Sequence, residues 1–145
     1  NYELRENVAG PGQWRGGIGS IRSFELLEDG AVSVEGDGQR FKPWGFAGGS
    51  DGSPANVDLI RANGKVEALP SKIPYRQLKK GDRITAYGPC GGGYGNPMLR
   101  VPQDVLDDVL DGLIDDQAAK SKYGVVIRDG TTVDKEATEK LRAAG

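Results

Sequence analysis

Histidine is absent from the 145 residues, and with it go the commonest general base and the commonest metal ligand. Cysteine occurs once, at Cys90, which excludes an internal disulfide and a thiolate zinc cluster and fits a reducing compartment. No apolar run approaches the ~18 residues a membrane helix needs, no signal-peptide pattern is present, and no Asn-x-Ser/Thr acceptor occurs. A cytoplasmic location is therefore expected. With a formal net charge of −2 and no basic block beyond Lys79-Lys80, neither nucleic acid nor an anionic membrane is an expected partner. The chain opens on Asn1 and not on methionine, which sets the expectation of a fragment or processed piece.

Glycine is what the chain has in excess. Its 23 glycines accompany 37% hydrophobic and 28% charged residues, a composition that is globular but rich in loops, at a length that fits one domain. Residues 88–97 read Gly-Pro-Cys-Gly-Gly-Gly-Tyr-Gly-Asn-Pro, five glycines and two prolines in ten positions. Neither a helix interior nor a central strand tolerates that content, so the run is a shaped loop where backbones or a ligand come close. A matching cluster spans residues 10–19. A third segment, Gly36–Pro54, holds six glycines and two prolines around Phe41, Trp44 and Phe46, and reads as an extended excursion with aromatic anchors.

Turn signals cut the rest of the first two-thirds into short strands. Residues 18–28, Asp29-Gly30 and Ala31–Glu35 read as one hairpin, and Val57–Ala62, Asn63-Gly64 and Lys65–Leu69 as another. A polar turn over residues 78–82 precedes a strand over Arg83–Tyr87. Beyond Pro97 the period changes. Pro102 suits a first helical turn, and Val105, Leu106, Val109, Leu110 and Leu113 recur at helical spacing opposite Asp104, Asp107, Asp108 and Asp111. Asp115 and Gly124 bracket a second helix, Val125–Ile127 reads as a short strand, and Asp134 caps a last helix over residues 135–144. The expected fold is mainly β with C-terminal α: antiparallel sheets in a barrel-like or sandwich arrangement, glycine-rich extended loops, and two or three short terminal helices. Residues 1–100 form the glycine-rich β domain and residues 101–145 a helical extension packed on it.

Several residues invite chemistry. Successive backbone N–H groups of the 88–97 loop, with Gly91, Gly92 and Gly93 among them, offer an anion cradle, although the run matches neither the lysine-containing phosphate loop nor the dinucleotide fingerprint. Close backbone packing is the expectation favoured there. Trp14 and Arg15 pose a choice between a pocket wall with a carboxylate-binding guanidinium and a buried Trp with an Arg bonded to carbonyls. The buried anchor is favoured for Trp14, and likewise for Trp44. Cys90, with no histidine to activate it, reads as a buried thiol and not a nucleophile. The aspartates from Asp104 to Asp115 lack calcium-loop spacing and read as a solvated helix face.

Taken together, Gly10-Pro11-Gly12-Gln13-Trp14-Arg15-Gly16-Gly17, Pro43-Trp44-Gly45, Leu69-Pro70-Ser71-Lys72, Leu78-Lys79-Lys80-Gly81-Asp82 and Gly91-Gly92-Gly93-Tyr94-Gly95-Asn96-Pro97 resemble, in order and spacing, the C-terminal part of the hydantoinase B/oxoprolinase family. Asp107–Gly112, Ala118-Ala119 and Tyr123-Gly124-Val125-Val126 are similar to that family's tail, while Asn96 stands where the family often has Asp. The resemblance implies a scaffold segment of a large subunit of ATP-dependent enzymes that open cyclic amides such as N-methylhydantoin, 5-oxoproline or caprolactam, or of the related ketone carboxylases. It implies ATP with magnesium and a divalent metal elsewhere in the complex, none held in this chain, and as partners the remainder of the subunit and a hydantoinase A-like ATP-binding subunit or domain. Trp14, Arg15, Trp44, Gly91, Gly92, Gly93, Tyr94 and Asn96 are the candidates for contact with substrate or partner, with no catalytic or metal-ligating residue expected. A freestanding ligand- or protein-binding β module, stacking on Trp14, Trp44 and Tyr94, is the alternative.

Overall fold

The computed structural model describes residues 1–144; Gly145, the last residue of the expected helical extension, lies outside them. Nine short strands, β1 (Tyr2–Leu4), β2 (Ser20–Glu25), β3 (Gly30–Glu35), β4 (Asn56–Ile60), β5 (Val66–Ala68), β6 (Lys72–Leu78), β7 (Arg83–Tyr87), β8 (Ile127–Arg128) and β9 (Thr132–Val133), accompany three helices, α1 (Pro102–Leu110), α2 (Asp116–Tyr123) and α3 (Lys135–Ala143). An antiparallel sheet of order β1-β2-β7-β4-β5 carries the N-terminal region. The two-stranded β3-β6 sheet packs Val32 and Ile73 against the buried Leu59, Leu69, Leu78 and Ile84. The five-stranded sheet ends at β1 and β5, so among the described residues there is no closed barrel. The barrel-like expectation gives way to open sheets.

The Asn63-Gly64 turn joins β4 to β5 with Gly64 at φ +84°, a left-handed conformation that costs glycine little. The other expected hairpin does not form. Both edges of β2 are occupied, by β1 and β7, and β3 pairs instead with β6. Asp29 is a corner, not a hairpin tip: its carboxylate accepts from the Lys80 N–H at 2.9 Å and the Lys79 ammonium at 2.7 Å. This docks the start of β3 on the turn that follows β6.

A second apolar cluster sits among the helices, where Val105, Ile114, Ala118, Ala119, Tyr123 and Val125 are buried. Pro102 opens α1, while the Asp115 and Asp134 side chains accept from the N–H groups of Ala118 and Ala137 at the starts of α2 and α3. These caps lie where the sequence put them. Gly124 at φ +63° closes α2, and the strand expected at Val125–Ile127 is the shorter β8, paired with β9. No helix of the described residues is long and apolar enough to cross a membrane.

Candidate functional site

Three glycine-rich segments meet backbone to backbone. Residues 90–95 run in the middle, hydrogen-bonded on one side to residues 10–17 and on the other to residues 46–53. Gly91 N–H donates to the Gly17 carbonyl at 2.9 Å, and Trp14 and Tyr94 exchange a pair of backbone bonds at 2.9 Å each. Opposite them, Cys90 N–H donates to Ser53, Gly93 N–H to Ser50 and Gly95 N–H to Phe46, each at 2.9 Å. The outer segments also touch, through Ser50 N–H to the Pro11 carbonyl at 2.7 Å.

What lies between these backbones is almost nothing. A Cβ built on Gly12 would stand 2.6 Å from the Tyr94 nitrogen, and one on Gly91 would stand 2.8 Å from the Gly17 nitrogen. On Gly92 it would collide with the Trp44 carbonyl, on Gly93 with that of Pro11, and on Gly16 and Gly49 with those of Gly91 and Gly93. The glycines of 88–97 are therefore consumed by close packing, as the sequence favoured. The N–H groups of Cys90, Gly91, Gly93, Tyr94 and Gly95 all donate to backbone carbonyls of this chain; the Gly92 N–H between them is not so committed, but one isolated donor is not the succession of N–H groups that a phosphate cradle needs. Cys90 is fully buried, and its Sγ accepts from the Gly19 N–H at 3.2 Å.

The aromatic residues are placed differently from expectation. Trp14 is 62% exposed and Trp44 77%, so neither is a buried anchor; Phe41 and Phe46 are exposed as well. The reason is space: with main chain filling the interior of the stack, an aromatic side chain on it has only the outside to occupy. Trp14 and Phe46 flank Tyr94 through single β-bridges, and the rings of Phe46 and Tyr94 stack with centroids 5.9 Å apart.

Arg15 points the other way from its neighbour, as alternation along an extended segment requires. Its Nε donates to Asp108 Oδ2 at 3.1 Å and its Nη1 to the Gly16 carbonyl at 2.9 Å. Arg15 thus follows the structural reading, bonded to a carbonyl, and the one carboxylate it meets is internal, through a single bond and not a bidentate pair. Asp108 also accepts from Arg100 Nη2 at 3.0 Å and is buried, which corrects its assignment to a solvated face. The signal was present: Asp108 lies three residues after Val105, on the same side of the helix as the buried apolar row. Asn96 accepts from the Met98 N–H at 2.9 Å and caps the 3-10 turn Pro97–Leu99. Asn and Asp serve equally in that role.

Asn7 escaped the sequence reading altogether. Its side chain accepts from the Asp115 N–H at 2.9 Å and donates to the Asp115 carboxylate at 3.1 Å, while its carbonyl accepts from the Lys122 ammonium at 2.7 Å. Among the described residues no three His, Cys, Asp or Glu side chains converge as a metal-ligand set.

The hydantoinase B/oxoprolinase family profile matches residues 1–97. The chain is 50% identical over 143 residues to the B-type subunit of a putative D-/L-hydantoinase of Pseudomonas sp. (strain NS671), covering 97% of this chain and 24% of that protein. It is 33% identical over 149 residues to the beta chain of the caprolactamase of Pseudomonas jessenii, covering 99% of this chain and 25% of that one. The crystal structure of the ATP-dependent caprolactamase from Pseudomonas jessenii superposes with a TM-score of 0.77 at 29% identity, over 99% of this chain and 25% of that chain. Nucleotide-free acetone carboxylase superposes with a TM-score of 0.76 over 99% of this chain and 24% of that chain, at 22% identity, a likeness of fold alone. The chain spans about a quarter of the length of the curated relatives it matches. The five sequence motifs, the profile match over residues 1–97 and half-identity to a hydantoinase subunit agree: this chain belongs to the hydantoinase B/oxoprolinase family.

Proposed function

We propose that this chain is a scaffold segment of a hydantoinase B-like subunit in an ATP-dependent enzyme that opens a cyclic amide. The observation that carries the reading is 50% identity, over 97% of the chain, to the B-type subunit of a putative hydantoinase. The segment's own polar groups are largely spent on itself: Arg15, Arg100 and Asp108 on one another, and the glycine N–H groups on carbonyls. Residues 1–100 and the helical extension 101–145 act here as one support. ATP with magnesium and a divalent metal belong to other parts of the complex, and the ATP-binding partner is a hydantoinase A-like subunit or domain. Ketone carboxylation is the second reading, favoured by 35% identity over 105 residues to the acetophenone carboxylase delta subunit of Aromatoleum aromaticum.

The test is reconstitution of the whole B-type polypeptide with its A-type partner. ADP release that requires a hydantoin, 5-oxoproline or a lactam is the expected result; ADP release that requires a ketone and bicarbonate instead would select the second reading. Saturable binding of a small molecule by the isolated chain would favour a freestanding binding module over both.

A further inference from the structure

The close packing of the glycine stack leaves one conspicuous surface outside it. Trp14, Phe46 and Tyr94, contributed by three adjacent backbone segments, stand side by side at 62%, 66% and 52% exposure. At about 200 Å² per large aromatic side chain, the three leave several hundred Å² of ring surface in water, the size of the largest patch a monomer ordinarily tolerates. The backbone beneath is already satisfied. Trp14 and Tyr94 exchange both of their main-chain bonds, and the Phe46 carbonyl accepts from Gly49 and Gly95 while its N–H donates to Gly93. A partner therefore cannot join this row by strand addition and must meet it through side chains.

We infer that the Trp14–Tyr94–Phe46 row is the face on which the remainder of the hydantoinase B-type polypeptide packs, with apolar side chains of that remainder lying over the rings. The occupant follows from length: this chain is matched over 97–99% of itself yet makes up only 24–25% of its relatives, so three quarters of such a polypeptide is available to cover the face. The inference rests on the reading above that the chain is a segment of a longer subunit.

It is tested in the whole B-type polypeptide with Phe46→Cys and Tyr94→Cys as separate thiol reporters, labelling of the unsubstituted polypeptide, buried Cys90 included, being subtracted as background. Each variant is first checked for a native circular dichroism spectrum, and Trp14→Cys is the third reporter should either fail. The expected result is labelling by a maleimide about 100-fold slower in the folded polypeptide than in urea, at every protein concentration. Labelling at the rate of a free thiol would overturn the inference. So would protection that appears only with rising concentration, which assigns the face to a second copy, or only on adding the A-type polypeptide, which assigns it to that partner. Labelling needs no substrate, so this outcome is independent of whether the enzyme opens a cyclic amide.

Discussion

Trp14 faces out and Arg15 faces in, and the glycines beside them differ just as sharply. A Cβ on Gly16 would meet the Gly91 carbonyl, whereas one on Gly17 would meet nothing within 4 Å. Two adjacent, chemically identical residues therefore answer the same substitution in opposite ways. Gly92→Ala, placed like Gly16 against a carbonyl, is expected to cost about 1–3 kcal/mol or more through forced separation of the backbones. Gly17→Ala is expected to be neutral or to stabilise by up to about 1 kcal/mol, because alanine restricts the unfolded chain and meets no obstacle in the folded one. Urea denaturation of the pair checks this; equal losses at both positions would show that the stack does not depend on close approach. Composition made the glycine run legible as a packing device. It did not reveal which side of the stack the aromatics occupy, because that depends on how much room the paired backbones leave.

At the scale of elements, the helix caps and one of the two hairpin turns are legible in the sequence, and strand pairing is not. The caps at Asp115, Asp134 and Gly124 and the Asn63-Gly64 hairpin each depend on a few neighbouring residues, and each lies where the sequence put it. β6 went unread because Pro74 interrupts its pattern. The proline is tolerated where the register shifts between Val32 and Val34, in a sheet of only two strands. The turn from Lys79 to Asp82 holds β6, β7 and the end of β4 together through one carboxylate. Asp82 accepts from the Lys79 N–H at 2.9 Å, the Ala62 N–H at 3.1 Å and Arg61 Nη1 at 2.9 Å. The Lys79 N–H foremost, then the Ala62 N–H and Arg61, outweigh desolvation and hold the Asp82 carboxyl below its ordinary range. With the folded-state value depressed, the stabilisation is present above the unfolded value of about 4 and is lost as pH falls through the folded-state value. Thermal denaturation is expected to show a midpoint falling below about pH 4, with a smaller fall in Asp82→Asn. An equal acid response in that variant would remove Asp82 from the account.

Over the whole molecule, two apolar clusters are distinct, one in the sheets and one among the helices. Asp108 and Arg100 are buried, and with the partly buried Arg15 they join the glycine stack to α1, while Asn7 joins the N-terminal segment to α2. Asp108→Asn leaves two guanidinium groups facing a neutral amide, and such loss of a buried partner costs about 3 kcal/mol. Because that loss falls on the junction, the backbone amides of α1 and α2 are expected to lose hydrogen-exchange protection at lower urea than those of the glycine stack. Coincident transitions would show that the clusters are coupled by other means. This junction was hidden in the sequence because a carboxylate and two guanidiniums 93 and 8 residues away announce no pairing until the fold brings them together. The stack itself carries one more consequence. Its contacts are between main-chain atoms, which every amino acid brings unchanged, so no replacement on the facing segment can recede to make room for an added methyl group. A genetic screen for second-site suppressors of Gly92→Ala should therefore return revertants at codon 92 and no compensating change across the stack.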